Sequence, residues 1–403
     1  MPAIAISENI LYVGVQHPDR LMFDCLMPTP HGTSYNSYLV SGTKKTALID
    51  AVDPEFLEEF RNKLLSLEMN PPDYLVLLHA EQDHSGSAVE LLKMYPQMKL
   101  VATSNVIKLI GTHLHIPADQ FLVMDEGAEL DLGEKSLTFY KIPFAHWPDN
   151  TMVFEKQSGI LFSSDLFGAH YSFERVFATN SHEIKEAARA YYAEIMMPFV
   201  PQVRKYTETV MALAPRMIAP AHGPVWNDSS IILNKYMKWT DSKVNKSVVI
   251  PYVSMHGSSA IITERLACKL AGKGISVMSR NLGDRPDSLV VETGHVLYDL
   301  VMAAAVVYVM PTVLGGPHPA GAYCALVMNA IRPKTRFIGL AGSFGWGTKC
   351  NETFIALTGG MKKAERLEPL LFEGLPTEEE LAKVDAYADL LAEKILSLGD
   401  DLV

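Results

Sequence analysis

Residues 79–84 read His-Ala-Glu-Gln-Asp-His. Within six residues stand four side chains able to bind a metal: His79, Glu81, Asp83 and His84. They follow the apolar run Leu75–Leu78, so a loop leaving a buried strand carries them. His79 and Glu81 are two apart and face one way. Asp83 and His84 come where the chain bends and can face a second centre. A solvated acidic loop is the bland alternative for these six residues alone. Three later residues weigh against it. His146 in FAHWPDN, Asp165 in LFSSDLFGAH and His222 in MIAPAHGPVW each follow an apolar run. Any one could be a capping or core residue, but four such places in this order are hard to attribute to chance.

The pattern His-x-Glu-x-Asp-His followed by His, Asp and His in loops after strands resembles the metallo-β-lactamase fold. Most of that superfamily carries His where Glu81 stands. Glutamate there, with HAEQDHSGS, HWPDN, SSDLFGAH and APAHGPVW, resembles the flavodiiron proteins, and the resemblance runs over essentially the whole chain. It implies a pair of iron ions. One would take His79, Glu81 and His146, the other Asp83, His84 and His222, and Asp165 would bridge them. Each metal then has two imidazoles, a terminal carboxylate and a share of the bridge. That ligation suits non-haem iron, which must change oxidation state, more than redox-inert zinc. Catalytic residues beyond the ligands are not assigned. His31, Trp147 and Tyr192 are candidates to line the site, and Phe167 to wall it. His113, His115 and His295 read as surface or helix residues. Tyr191 and Tyr192 stand where the family usually reads Tyr-Tyr-Ala-Asn, and Glu194 departs from it.

A second constellation lies in the C-terminal half. VSMHGSSAII is a strand end, a small-residue loop and a helix start, suited to a phosphate at a helix N-terminus. Ser254, Ser258 and Ser259 supply hydroxyls, Met255 and His256 stand between them, and Gly257 permits close approach. It resembles the flavodoxin phosphate loop, with Ser259 in place of Thr. Two further loops, one with Pro311, Thr312 and Val313 and one with Ser343, Phe344, Gly345, Trp346 and Gly347, would meet an isoalloxazine. The apolar, Gly-rich VLGGPHPAG departs from the family's polar residues here. The implied cofactor is FMN. Reduced FMN with a diferrous pair would hold four electrons, enough to take O2 to two waters; two NO becoming N2O need two.

The elements that must position these groups follow from pattern. YNSYLVSGTKKTALIDA reads as a hairpin, and PEFLEEFRNKLLSLEMN as a helix. DYLVLLHAEQDH, LVATSNVIKLI and SLTFYKIPFAHWPDN each read as a strand running into a loop. Near residue 245 strands begin to alternate with helices, the signature of a doubly wound parallel sheet. The fold class expected is α/β: residues 1–245 as a metallo-β-lactamase-like αββα sandwich with the iron pair, and residues 246–403 as a flavodoxin-like FMN domain. TEEELAKVDAYADLLAEKILSLG is an amphipathic helix with an acidic first turn.

Composition bounds the partners. The chain has 403 residues, 48% hydrophobic and 20% charged, with a net charge of −11. Such a balance disfavours nucleic acid and anionic membrane. Four scattered cysteines form neither a disulfide framework nor a metal cluster, which fits the cytoplasm. The N-terminus lacks signal-peptide regions, and LVMAAAVVYVM is too short to span a bilayer. The function expected is reduction of O2 and/or NO. Without a cysteine pair near Val403 the chain reads as the two-domain form, fed by a separate rubredoxin-like protein or a reduced deazaflavin-type cofactor. The resemblance also implies a head-to-tail homodimer, or a tetramer built from it. Two rivals stand: a zinc-dependent hydrolase fused to an electron-transfer flavodoxin, and an electron carrier with a vestigial metal site.

Overall fold

In the computed structural model, which describes residues 1–67, 70–285 and 288–403, the run YNSYLVSGTKKTALIDA closes as a hairpin. Strands Tyr38–Ser41 and Thr46–Ile49 pair antiparallel, and the Gly42 amide donates to the Lys45 carbonyl across the turn. A side chain at Gly42 would meet the Leu132 carbonyl oxygen at 2.0 Å, so only glycine fits there.

This hairpin sits in a seven-stranded sheet ordered Ile4–Ser7, Ile10–Tyr12, Tyr38–Ser41, Thr46–Ile49, Tyr74–Val76, Lys99–Ala102, Phe121–Val123. Pairing is antiparallel up to Thr46–Ile49 and parallel beyond it. A five-stranded sheet follows: Glu129–Asp131, Ser136–Lys141, Thr151–Glu155, Ile160–Phe162 and Met217–Ala219. Only its last pairing is parallel. One apolar cluster draws on both sheets, with Val40, Ile49, Val76 and Val101 from the first and Phe139, Val153, Phe162 and Met217 from the second. Helices complete the αββα sandwich. Leu57–Leu65 buries Phe60 and Leu64, and Ser104–His113 buries Val106, Ile107 and Ile110.

Two local readings change. The chain after Ala102 is a helix, Ser104–His113, rather than a loop, because its apolar residues recur at helical spacing. Asp83 and His84 lie in one helical turn, Gln82–Ser85, instead of an open bend. The tail of the expected helix at Glu68 and Met69 lies outside the described residues, as does Asp287 ahead of the helix Ser288–Leu300.

The chain splits into two compact units: Met1–Phe23 with Thr29–Thr240, and Asp24–Pro28 with Asp241–Val403. In the second, parallel strands lie in the order Ser276–Asn281, Asn245–Tyr252, Ala303–Val309, Phe337–Phe344, Leu370–Glu373. Numbered along the chain that is 2-1-3-4-5, the flavodoxin-like doubly wound order. Ala303–Val309 is buried at every position, as a central parallel strand requires. The helix Glu378–Leu396 starts at a capping box between Thr377 and Glu380. No helix among the described residues is long and apolar enough to cross a membrane.

Candidate metal centre

Five strands of the sandwich end or begin beside one another where the chemistry-bearing residues stand. Asp50 follows Thr46–Ile49, His79 follows Tyr74–Val76, and His146 follows Ser136–Lys141. Asp165 follows Ile160–Phe162, and His222 follows Met217–Ala219. Asp50, Phe144, Ser164 and Phe167 hold left-handed backbone, with φ of 53°, 67°, 53° and 71°. Each stands in, or next to, one of these loops, the kind of place where backbone strain gathers in functional sites.

Four imidazoles converge through the same ring atom. His79 Nε2 lies 3.1 Å from a Glu81 carboxylate oxygen, and His146 Nε2 lies 3.4 Å from the same oxygen. His222 Nε2 is 3.2 Å from Asp83. Asp165 presents Oδ1 to His84 at 3.1 Å and to His222 at 3.6 Å, and Oδ2 to His79 and His146, each at 3.7 Å. Its two oxygens therefore face two separate groups. In His79, His146 and Asp165, and again in Asp83, His84 and His222, the ligand atoms lie within 4.8 Å of one another. Adjacent ligands at bond lengths of about 2.1 Å stand about 3.0 to 3.4 Å apart around one metal. The spacing fits a metal in each group.

The far ring nitrogens set the tautomers. His79 Nδ1 is 3.0 Å from Asp149, and His84 Nδ1 is 3.2 Å from Asp50. His222 Nδ1 donates to the Ser34 carbonyl at 2.7 Å. With the proton held on Nδ1, Nε2 offers its lone pair inward. Asp149 and Asp50 are themselves held by the amides of Ala80 and Leu78. The bridge candidate is oriented too: Tyr191 Oη donates to Asp165 Oδ1 at 3.1 Å and Asn150 Nδ2 to Oδ2 at 2.9 Å. Asn36 ties down the His222 loop through the Pro220 and Gly223 carbonyls.

Electrostatics agree with a site built for cations. Burial opposes a charged His79, but the Asp149 and Glu81 carboxylates outweigh it and push it up to about 10. His84 is held well above its ordinary value against burial by Asp165 and Asp83. Asp165 goes the other way: burial would raise it, yet His84, His79 and His146 hold it well below the carboxylate range. Protons on imidazoles thus balance three clustered carboxylates, a charge that metal ions can replace. Asp83 Oδ1, buried and without a hydrogen-bond partner among the described residues, calls for the same compensation. The site opens on one side, where the His146 and Glu81 side chains are 22% and 19% exposed while His79 is fully buried.

All seven candidate ligands come together. The flanking candidates divide. Trp147 sets its ring edge-on to His79 at 5.0 Å. Tyr192 packs instead on Tyr236 and Trp239, and it is its neighbour Tyr191 that reaches Asp165. His31 packs on Tyr171, and Phe167 on Tyr236. Sequence reading passed over Asp50, Asp149, Asn150 and Ser34. Asp50 carries the same signal as Asp165, an acid ending an apolar strand in ALIDA; Asp149 and Asn150 lay inside the quoted HWPDN.

In the second unit three loops leave the same edge of the parallel sheet. Ser254 to Gly257 link Asn245–Tyr252 to the helix Ser258–Gly272, with Gly257 at φ 95°. Ser254 Oγ accepts from the Ala260 amide at 3.2 Å, and Ser259 Oγ is buried without a partner among the described residues. Pro311–Val313 follows the strand Ala303–Val309, Ser343–Gly347 spans the end of Phe337–Phe344, and the Thr312 hydroxyl meets that of Thr348, just beyond Gly347, at 2.8 Å. Met255, Leu314 and Trp346 stand out at 52%, 99% and 92% exposure. A Cβ added at Gly257, Gly345 or Gly347 would meet nothing within 4 Å. Exposed apolar side chains and open space at these loops fit a flat ring, and the loop ahead of the helix Ser258–Gly272 fits its phosphate. The open space lies at the reversal of strand order, where such folds bind ligands.

Fold and site together define a metallo-β-lactamase-like domain joined to a flavodoxin-like one. Residues 33–223 match the family model described as ODP family beta lactamase. The chain is 30% identical to the anaerobic nitric oxide reductase flavorubredoxin of Pectobacterium carotovorum, over 85% of this chain and 69% of that one. It is 31% identical to the coenzyme F420H(2) oxidase of Methanothermobacter marburgensis, over 84% and 86%. The solved rubredoxin oxygen:oxidoreductase of Desulfovibrio gigas superposes with a TM-score of 0.92 at 27% identity, covering 98% of this chain and 99% of that one. The chain belongs to the flavodiiron protein family.

Metal uptake must displace the protons the imidazoles hold. His79 keeps its proton below about 10, so the affinity of metal-free protein for Fe(II) falls as pH drops through neutrality. The slope should be on the order of tenfold per pH unit for each proton displaced. Asp149→Ala removes the anchor of His79 and should weaken iron binding about 10- to 100-fold. Chelator competition measures both; a pH-independent affinity, or an Asp149→Ala protein as tight as the wild type, contradicts this account.

Proposed function

We propose that this chain is a flavodiiron oxidoreductase that reduces O2 to water, NO to N2O, or both. The observation that carries the reading is the third carboxylate: Glu81 meets the Nε2 atoms of His79 and His146 where a zinc hydrolase of this fold carries another histidine. Its relatives, named as a reductase and an oxidase, support the redox reading over the hydrolase. The first unit would hold two irons through His79, Glu81 and His146 on one side and Asp83, His84 and His222 on the other, with Asp165 shared. The second would hold FMN, its phosphate at Ser254, Ser258 and Ser259 and its ring at Pro311–Val313 and Ser343–Gly347. When bound, the iron pair supplies adjacent open positions for a diatomic substrate, and FMN relays electrons one at a time.

The chain's own residues do the rest. Asp149, Asp50 and the Ser34 carbonyl keep the imidazole lone pairs aimed inward through changes of metal charge. Tyr191 and Asn150 hold the bridging carboxylate by one hydrogen bond on each oxygen, so it cannot rotate toward one metal. Buried walls keep water scarce except on the His146 and Glu81 side, which is the entry for substrate. The Tyr191 hydroxyl, pushed well above its ordinary value by burial and by Asp165, stays protonated and can donate at any working pH.

Electrons come from an external donor. Rubredoxin and coenzyme F420H2 appear in the names of relatives, so a rubredoxin-like protein or a reduced deazaflavin is proposed here. All four cysteines are free thiols, which fits the cytoplasm. The assembly proposed is a head-to-tail homodimer, alone or doubled into a tetramer, with the FMN of one chain serving the irons of the other.

Protein made with adequate iron should hold about two irons per chain and consume O2 or NO when reduced. Asp165→Ala should lose iron and turnover and keep FMN. Stoichiometric zinc, with turnover surviving iron removal, would sink the redox reading. For the assembly, co-expressing a His79→Ala/His146→Ala chain with a Ser254→Ala/Ser258→Ala/Ser259→Ala chain should restore part of the activity. No recovery at matched expression argues for transfer within each chain.

A further inference from the structure

His170 belongs to neither ligand group, yet it stands in the wall of the same site. It is 6% exposed. Its ring stacks on Phe23 at 4.3 Å and lies 5.2 Å from the His222 ring and 5.0 Å from that of Tyr191. Nδ1 is 2.9 Å from Thr33 Oγ1. The same hydroxyl also lies 3.5 Å from the Ser34 carbonyl. That carbonyl already takes the His222 Nδ1 proton at 2.7 Å. With the hydroxyl donating to Nδ1 over the shorter contact, the ring proton sits on Nε2.

His170 Nε2 is buried and has no hydrogen-bond partner among the described residues. An unpaired buried donor is costly, and one kept in a native site calls for an explanation. Phe23 does not supply it, because the two rings lie only 27° from parallel and an in-plane N–H misses that face. The charged groups that bear on the imidazole are His222, Asp165, Arg20 and His146, three of them candidate ligands.

We infer that His170 is a substrate-positioning residue whose Nε2–H donates a hydrogen bond to the diatomic substrate held at the metal pair. The inference rests on the di-iron reading above and adds a residue to it. A fixed donor aimed where negative charge gathers on the substrate stabilises that charge without reorganisation. Thr33 acts through His170 by fixing its tautomer.

The probe is nitric oxide. Anaerobic titration of the reduced, iron-loaded protein gives its Kd, and infrared spectroscopy gives the N–O stretch of the bound gas. Iron and FMN are assayed on every variant. His170→Phe keeps the ring and loses the donor; it should bind NO about tenfold more weakly, with the N–O stretch shifted from its wild-type position. His170→Gln restores an N–H donor and should recover most of the affinity. Thr33→Val releases the tautomer and should fall between. A His170→Phe protein with wild-type Kd and N–O stretch at unchanged iron content overturns the assignment and leaves the N–H on the face of Tyr191. If that variant fails to retain iron, Thr33→Val decides: weaker binding supports the assignment, and an unchanged Kd and stretch overturn it. Wild-type protein that holds no iron or binds no NO would overturn the di-iron reading itself, and this inference with it.

Discussion

One carboxylate with two working faces organises the site. Asp165 is 1% exposed, and each of its oxygens addresses a different pair of imidazoles. A carboxylate taken that far from water costs several kcal/mol unless opposite charge and hydrogen bonds meet it. Here Tyr191 and Asn150 meet one oxygen each, and the imidazoles face both. Turning this side chain by a rotamer would take its oxygens away from the imidazole pairs they face. The tyrosine, the amide and the strand end that fix it are therefore as much part of the centre as the candidate ligands.

The fold serves that constraint through strand ends. Two packed sheets bring five chain segments to one edge, and each segment leaves its strand with a metal-capable or orienting residue in the next few positions. Left-handed backbone at Asp50, Phe144, Ser164 and Phe167 costs on the order of 1–3 kcal/mol per residue. The hydrogen bonds those loops make help to offset it: Leu78 to Asp50, Trp226 to the Phe167 carbonyl, Asn150 to Ser164. The second unit uses the same device on another sheet, where the reversal of strand order opens space between neighbouring loops.

Much of this was legible in the sequence because it is local. HAEQDH carries four candidate ligands in six residues, and His146, Asp165 and His222 announce themselves as polar residues ending apolar runs. The hairpin, the central apolar strand and the capped final helix follow from spacing and turn residues alone. What stayed hidden depends on distant partners. Asp50 orients His84 from 34 residues away, and Asp149 orients His79 from 70; neither position differs in type from an ordinary buried acid. The choice between Tyr191 and Tyr192 turned on helical phase, since adjacent residues point about 100° apart and only one meets Asp165. His170 sat inside a quoted motif, but its tautomer follows from Thr33, 137 residues earlier.

The central claim is that two irons share Asp165, and anomalous diffraction at the iron edge tests it directly. On crystals grown from iron-loaded protein, the account predicts two iron peaks. One lies among His79, Glu81 and His146, the other among Asp83, His84 and His222, with one Asp165 oxygen on each. A single peak, a signal at the zinc edge alone, or an Asp165 carboxylate turned away from both metals would contradict it.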